Sequence, residues 1–185
     1  CTPMDKNRKG ISIGEAAGLL VLEKCHAENS AAMKVLSVGE SSDAHHMSTP
    51  HPEGRGAALS MQNALDLAGL QASDIDYLNL HATATKINDA VESKAVYSVF
   101  SDSVPCSGTK GITGHTLGAA GALETIIVLQ ALQQQFIPGT YGLQEVDEDC
   151  HCQVIKSPIT KQGMKIAMSN SFGFGGNNAS VIVAL

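Results

Sequence analysis

Apolar residues along this chain fall into short continuous runs and longer stretches of helical spacing, so strands and helices are expected to alternate. "GISIGEAAGLLVLEK", Gly10 to Lys24, reads as a glycine-punctuated turn running into a buried strand at Leu19 to Leu22. "MKVLSVGESS" predicts a second strand, and Asp43 to Gly54 a polar loop with two prolines. From Arg55 to Leu70 the residues Ala58, Leu59, Met61, Leu65, Leu67 and Ala68 recur at helical spacing, and Gly69 is the stop. Ser73 is expected to cap a short turn before a strand at Tyr77 to Leu80, whose end delivers His81 into a loop. "INDAVESKAVYSVF" predicts a helix, "VPCSGTK" a short strand and turn, and Thr116 to Gln134 a long helix. The acidic stretch from Gln135 to Cys152 is irregular, and the tail is a strand, a tight glycine loop and a closing strand from Ala179 to Leu185. The pattern is that of an α/β unit, a mixed sheet covered by helices, with no repeat and no dividing linker.

Composition narrows the function classes. The 185 residues are 43% hydrophobic and 16% charged, enough apolar material for a core and too much for disorder. Net charge is −6 and the longest basic run is Lys6 to Lys9, so a nucleic-acid groove lacks its positive stripe. Apolar stretches stop well short of the roughly 20 residues of a membrane span. Five cysteines, Cys1, Cys25, Cys106, Cys150 and Cys152, form no framework spacing and read as reduced thiols of a cytoplasmic protein. The polar start at Cys1 to Asp5 carries no signal-peptide pattern and no initiator methionine, as expected of a fragment or processed product.

Candidate chemistry gathers at three places. His81 ends a strand and enters "HATATKIND", where small residues let the backbone fold beside the imidazole and Thr83 and Thr85 can tie the loop. A structural loop histidine fits the same pattern. In "SGTKGITGHTLGAAG", Lys110 and His115 lie five positions apart before the predicted helix, whose dipole would favour a neutral imidazole able to donate to a developing oxyanion. Gly118, Gly121 and the alanines around them make a slim surface that suits a close ligand or simple helix packing. Glu124 lies on that helix, and Asp89 and Glu92 share a face of the helix after His81; each can orient a lysine or be an ordinary solvated acid. Gly173, Gly175 and Gly176, set among Phe172 and Phe174, open no helix and so are not a dinucleotide fingerprint; they suit a tight turn offering N–H groups, or a plain hairpin. His45, His46 and His51, and Cys150-His151-Cys152, lack separated ligand pairs, so no metal site is expected.

Together, "HATATKIND", "KGITGHTLGAAG" and "NSFGFGGNN" resemble the His-Gly-Thr-Gly-Thr, Lys…Gly-His and glycine-phenylalanine boxes of the beta-ketoacyl synthases, the condensing enzymes of fatty acid and polyketide assembly. "DKNRKGISIGEAAGLLVLEK" resembles the segment entering that family's C-terminal half, and order and spacing agree from Asp5 to Leu185. The resemblance implies a thiolase-like fold of two similar halves, each on a five-stranded mixed sheet, with residues 1–185 forming the C-terminal domain. It also implies decarboxylative Claisen condensation: a nucleophilic cysteine carries an acyl group, and malonyl-acyl carrier protein loses CO2 and attacks it. By resemblance His81 and His115 hold the malonyl thioester carbonyl, and Lys110 organises the pocket with acidic partners Asp89, Glu92 and Glu124. Phe174, with Phe172 beside it, is the gate whose N–H joins an oxyanion hole, and Thr83 and Thr85 line the pantetheine path.

No dissociable cofactor is implied, since phosphopantetheine arrives on the acyl carrier protein. The expected partners are that carrier protein, an N-terminal half bearing the catalytic cysteine, and a second subunit in a homo- or heterodimer. None of the five cysteines has the nucleophile's setting, so this lobe alone is expected to be inactive and to expose apolar surface meant for the other half. Ala82 and Ala84 stand where the family has glycine, as does Ala16. A non-catalytic chain-length-factor-like subunit is the main alternative; a thiolase relative and a small acyl-binding module are others.

Overall fold

Strands that show apolar side chains to both faces need cover on both, and the central strands here are of that kind. The computed structural model describes residues 1–26 and 33–185. Its main sheet contains β1 (Lys34–Ser42), β2 (Tyr77–Asn79), β3 (Cys106–Ser107), β6 (Ile166–Gly173) and β7 (Asn177–Ala184), in the order β1-β7-β6-β2-β3. β6 and β7 form an antiparallel hairpin, β1 is antiparallel to β7, and β2 is parallel to both β6 and β3. The helices are α1 (Arg55–Ala68), α2 (Lys86–Phe100), the single turn α3 (Lys110–Thr113) and α4 (Ala120–Gln134). A small second ribbon pairs β4 (Phe136–Ile137) with β5 (Ile159–Thr160).

The two-residue alternation of the strands builds two cores. Leu78, Met168 and Ile182 point to one face and pack with Met61, Ala64 and Leu65 of α1 and Ala95, Val96 and Phe100 of α2. Their neighbours Tyr77, Ala167 and Val183 point to the other face and meet Val128, Ala131 and Leu132 of α4. α1 lies unusually close to β1. Ser37 Oγ donates to Ala64 O at 2.7 Å, Ser41 Oγ to Gly56 O at 2.6 Å, and a Cβ on Gly39 between them would run into Ser60 O and Ala64 N. Gly69, at φ 68°, ends α1 in the left-handed conformation as expected of a helix stop.

Three expectations need correction. Residues Leu19–Leu22 form neither a strand nor part of the core; Leu19, Val21 and Leu22 are 96%, 88% and 75% exposed. The residues suit a strand, but the five sheet positions are filled by others, and of the four only Leu20, at 41%, is as much as half covered. Ser73 sits inside the turn Ala72–Asp74, which Gln71 caps, with Asp74 reaching back to the Gln71 N–H at 2.8 Å. The long helix begins at Ala120 rather than Thr116; the chain first makes α3 and a 3-10 turn at Leu117–Ala119, because Gly114 and Leu117 both take positive φ. Among the described residues no helix is long and apolar enough to cross a membrane.

The fit of α1 on β1 yields a stability test. Gly39→Ala should cost about 1–3 kcal/mol through overpacking against helix backbone, read as a lower urea midpoint with unchanged m-value.

Candidate active site

β2 and β3 run parallel, so the loops leaving their C-terminal ends emerge side by side. Leu80 N donates to Ser107 O at 2.9 Å, extending the pairing to the point where both loops begin. The first carries His81 and the second Lys110 and His115.

The loop after β2 turns inward sharply: Ala82 and Ala84, both fully buried, have φ of 33° and 64°. Its N–H groups consequently point into protein, where each requires an acceptor. α2 provides them from two acids three positions apart. Glu92 accepts from His81 N and Ala82 N, both at 2.7 Å. Asp89 accepts from Ala84 N at 3.1 Å and from Met4 N at 2.8 Å. Arg8 completes the clamp. Its guanidinium donates to Thr85 O at 3.1 Å and Lys86 O at 2.8 Å, lies 3.7 Å from Asp89, and pairs with Asp147. Burial raises the proton affinity of both acids, pushing Glu92 to about 7 even though the two N–H groups favour its charged form.

Lys110, the first residue of α3, is buried. Its Nζ donates to His81 O at 2.6 Å, lies 3.4 Å from His81 Nδ1 and forms an ion pair with Glu124 of α4. Burial pushes the Glu124 carboxyl up while the ammonium opposes that shift. His115 is fixed through its backbone: its N–H donates to Ser12 O at 2.7 Å and its carbonyl accepts from Gly14 N at 3.0 Å. Gly14 must be glycine, since a Cβ there would meet Thr113 O. Leu117 N donates to His115 Nδ1 at 3.1 Å, which leaves the proton of the neutral ring on Nε2.

The two imidazoles meet edge to face with centroids 5.3 Å apart, and Phe172 lies 5.8 Å from His81. Burial, then Lys110, then His115 hold the His81 pKa well below its ordinary value; burial and then Lys110 lower that of His115. The expected neutrality of His115 therefore has another cause than a helix dipole, for α4 starts five residues later. What the geometry offers is two neutral N–H donors at one place, next to a buried ammonium.

His81, His115, Lys110, Glu124 and Phe172 thus come together. Of the three acids expected around Lys110, only Glu124 pairs with it; Asp89 and Glu92 serve the backbone of the His81 loop instead. The hydroxyls of Thr83 and Thr85 contact each other at 2.9 Å. Phe174 is 82% exposed, at the tip of the β6–β7 loop. That loop is tied down by Gly175 N donating to Met47 O and Asp43 N to Gly176 O, both at 2.8 Å. Sequence reasoning missed Arg8, which reads as one more charge in a basic run, and Ser12 and Gly14; their roles rest on contacts across about a hundred residues of chain.

Residues 32–144 match the family described as beta-ketoacyl synthase, C-terminal domain. The chain is 38% identical over 189 residues to 3-oxoacyl-[acyl-carrier-protein] synthase 2 of Coxiella burnetii, covering 98% of this chain and 46% of that protein. It is 42% identical over 192 residues to the mitochondrial 3-oxoacyl-[acyl-carrier-protein] synthase of Arabidopsis thaliana, covering 98% of this chain and 42% of that one. The chain spans less than half the length of these curated relatives. Among solved structures, the ishigamide ketosynthase/chain length factor superposes with a TM-score of 0.92 at 38% identity, over 99% of this chain and 46% of that one. A type II PKS acyl-carrier protein in complex with its ketosynthase bound to the hexaketide gives 0.93 at 28% identity, over 99% and 47%. The fold is thiolase-like.

Two tests follow from the loop clamp. Ala84→Gly should stabilise the protein by roughly 0.5–1 kcal/mol, because relief of left-handed strain exceeds the added chain entropy; thermal or urea unfolding reads this. Glu92 has a folded pKa of about 7 against an ordinary value of 4.5, so its stabilising share is fully present below 4.5 and lost as pH rises through 7. Between pH 4.5 and 7 the parent protein should lose stability relative to Glu92→Gln, with the difference levelling off above pH 8 in urea titrations.

Proposed function

The chain belongs to the beta-ketoacyl synthase family, as its C-terminal domain, and from that premise we propose that it supplies the His/His/Lys part of a decarboxylative condensation site. The observation that carries this reading is the pair of neutral imidazoles 5.3 Å apart beside the buried Lys110. The malonyl thioester carbonyl of an acyl carrier protein accepts from the Nε2–H groups of His81 and His115. The bond to the carboxylate breaks, CO2 leaves, and its electron pair becomes the enolate. The two hydrogen bonds strengthen as charge builds on that oxygen, so they stabilise the transition state more than the ground state. The carbanion attacks an acyl thioester on a cysteine, whose thiolate departs.

Lys110 has an electrostatic role. An ammonium this close penalises a second positive charge, which keeps both rings as neutral donors. Glu124 holds Lys110 in place, and Asp89 and Glu92 hold the His81 loop. Phe174, on its exposed turn, gates the acyl pocket and lends its N–H to the oxyanion hole, with Phe172 behind it against His81. Thr83 and Thr85 flank the pantetheine arm.

The nucleophilic cysteine belongs to an N-terminal half that this domain works with. Two facts support that layout: relatives are more than twice as long as the match, and Leu19, Val21, Leu22 and Leu117 present apolar surface. The acyl carrier protein is the substrate-bearing partner, and the active assembly is a dimer. Retention of both histidines and Lys110 favours a catalytic subunit over a non-catalytic chain-length partner.

The test is release of labelled CO2 from malonyl-acyl carrier protein by the full-length protein. Replacing His81 or His115 by Ala should lower the rate about 10²–10³-fold with little change in carrier-protein affinity. An unmodified protein that releases no CO2, although it pairs with an active synthase, would establish the chain-length role instead.

A further inference from the structure

Three cysteines gather in the core on the α1–α2 side of the sheet: Cys106 of β3, with Cys150 and Cys152. The segment around Val154 lies parallel to β3. Cys106 N donates to Gln153 O at 2.9 Å, Ile155 N to Cys106 O at 2.8 Å, and Cys106 faces Val154 across the pair. Val154 N also donates to Cys152 O at 2.9 Å, a tight turn that shortens the step from Val154 back to Cys152. Cys106 Sγ lies 3.2 Å from Gln153 O. Cys152 is held by Ser93, whose Oγ accepts from Cys152 N at 3.0 Å and donates to its Sγ at 3.3 Å. Backbone pairing thus sets Cys152 diagonally across from Cys106, two positions before its partner Val154, and the two thiol side chains hydrogen-bond to each other.

We propose that Cys106 and Cys152 form a reversible, peroxide-sensitive dithiol, a modification site separate from the condensation chemistry. Cys152 is the attacking thiol. Hydrogen bonds from Cys106 and Ser93 favour its thiolate, whereas burial keeps Cys106 and Cys150 protonated. The Cys152 thiolate attacks one oxygen of hydrogen peroxide; the S–O bond forms, the O–O bond breaks and hydroxide leaves. The Cys106 sulfur then displaces the hydroxyl of that sulfenic acid, losing its proton as the S–S bond forms. Two thiols and one peroxide become one disulfide and two waters, the sulfurs giving up two electrons. The bond would fasten the segment at Cys152 to the strand that leads, through Ser107, to Lys110.

The experiment exposes the full-length protein to a small molar excess of hydrogen peroxide, then quenches in acid, denatures and alkylates all free thiols. After tryptic digestion, the peptides Ala95–Lys110 and Gly111–Lys156 should be recovered joined, at their reduced sum less two hydrogens plus the one alkyl group on Cys150. Fragmentation of the joined pair should place the link at Cys106 and Cys152, and dithiothreitol before alkylation should separate them. Cys150→Ala should keep the link, and Cys152→Ala should abolish it. Full alkylation of both peptides at the peroxide dose that oxidises the catalytic cysteine would overturn the proposal. So would a link that survives Cys152→Ala, or a fragmentation map that puts Cys150 in the bond.

Discussion

A lysine ammonium buried almost completely needs a counter-charge, and the organisation of this site follows from how Lys110 finds one. Glu124 reaches it from α4, and the carbonyl of His81 takes another of its protons at 2.6 Å. Burying the pair has a desolvation cost of several kcal/mol per ion, and separating it by removing one partner costs about 3–5 kcal/mol. An arrangement that expensive contributes little to folding. Its effect is local: a fixed positive charge beside two imidazoles, both of which it disfavours as cations. In the proposed condensation that is what the rings need, since a neutral imidazole donates its N–H to the developing enolate without handing over the proton.

The His81 loop obeys a second constraint. Two excursions of alanine into positive φ, at Ala82 and Ala84, leave inward-pointing N–H groups in a region closed to water. Without Glu92 and Asp89 those donors would each lose about 1–3 kcal/mol of hydration unrecovered. α2 therefore presents two carboxylates from adjacent turns, and Arg8 balances the nearer one while capturing the carbonyls of Thr85 and Lys86. Strain, buried charge and backbone capture form one connected assembly, which holds the imidazole of His81 against that of His115. His115 is set by a different segment, the extended stretch around Ser12 and Gly14, so each ring is positioned by chain remote from it in sequence.

Apolar surface is distributed unevenly around this core. Both faces of the central strands are covered, yet the stretch Leu19–Leu22 is left in the open. A pattern reading assigns such a run to a buried strand because the residues satisfy the strand's composition. Composition specifies what a segment can bury, and the location of the covering surface is a separate matter. The exposed run agrees with the proposal that this lobe works against a second half of similar build.

Much of the architecture was legible in the chain itself. Helical spacing in α1 and α2, the strand at Tyr77, the glycine hairpin before β7 and the grouping of His81, Lys110 and His115 in two short boxes are local properties, determined by side-chain period and by which residues tolerate a turn. Other features were decided only by folding. That Glu124 pairs with Lys110 while Glu92 and Asp89 turn to backbone depends on which side each helix presents to the loops. Arg8 becomes a buried clamp only once Thr85 and Asp147 converge on it, and Cys106 meets Cys152 only because a distant segment lies along β3. Sequence determines what each residue is able to do; partners separated by tens of residues are chosen by the packing of sheet and helices, which no local pattern records.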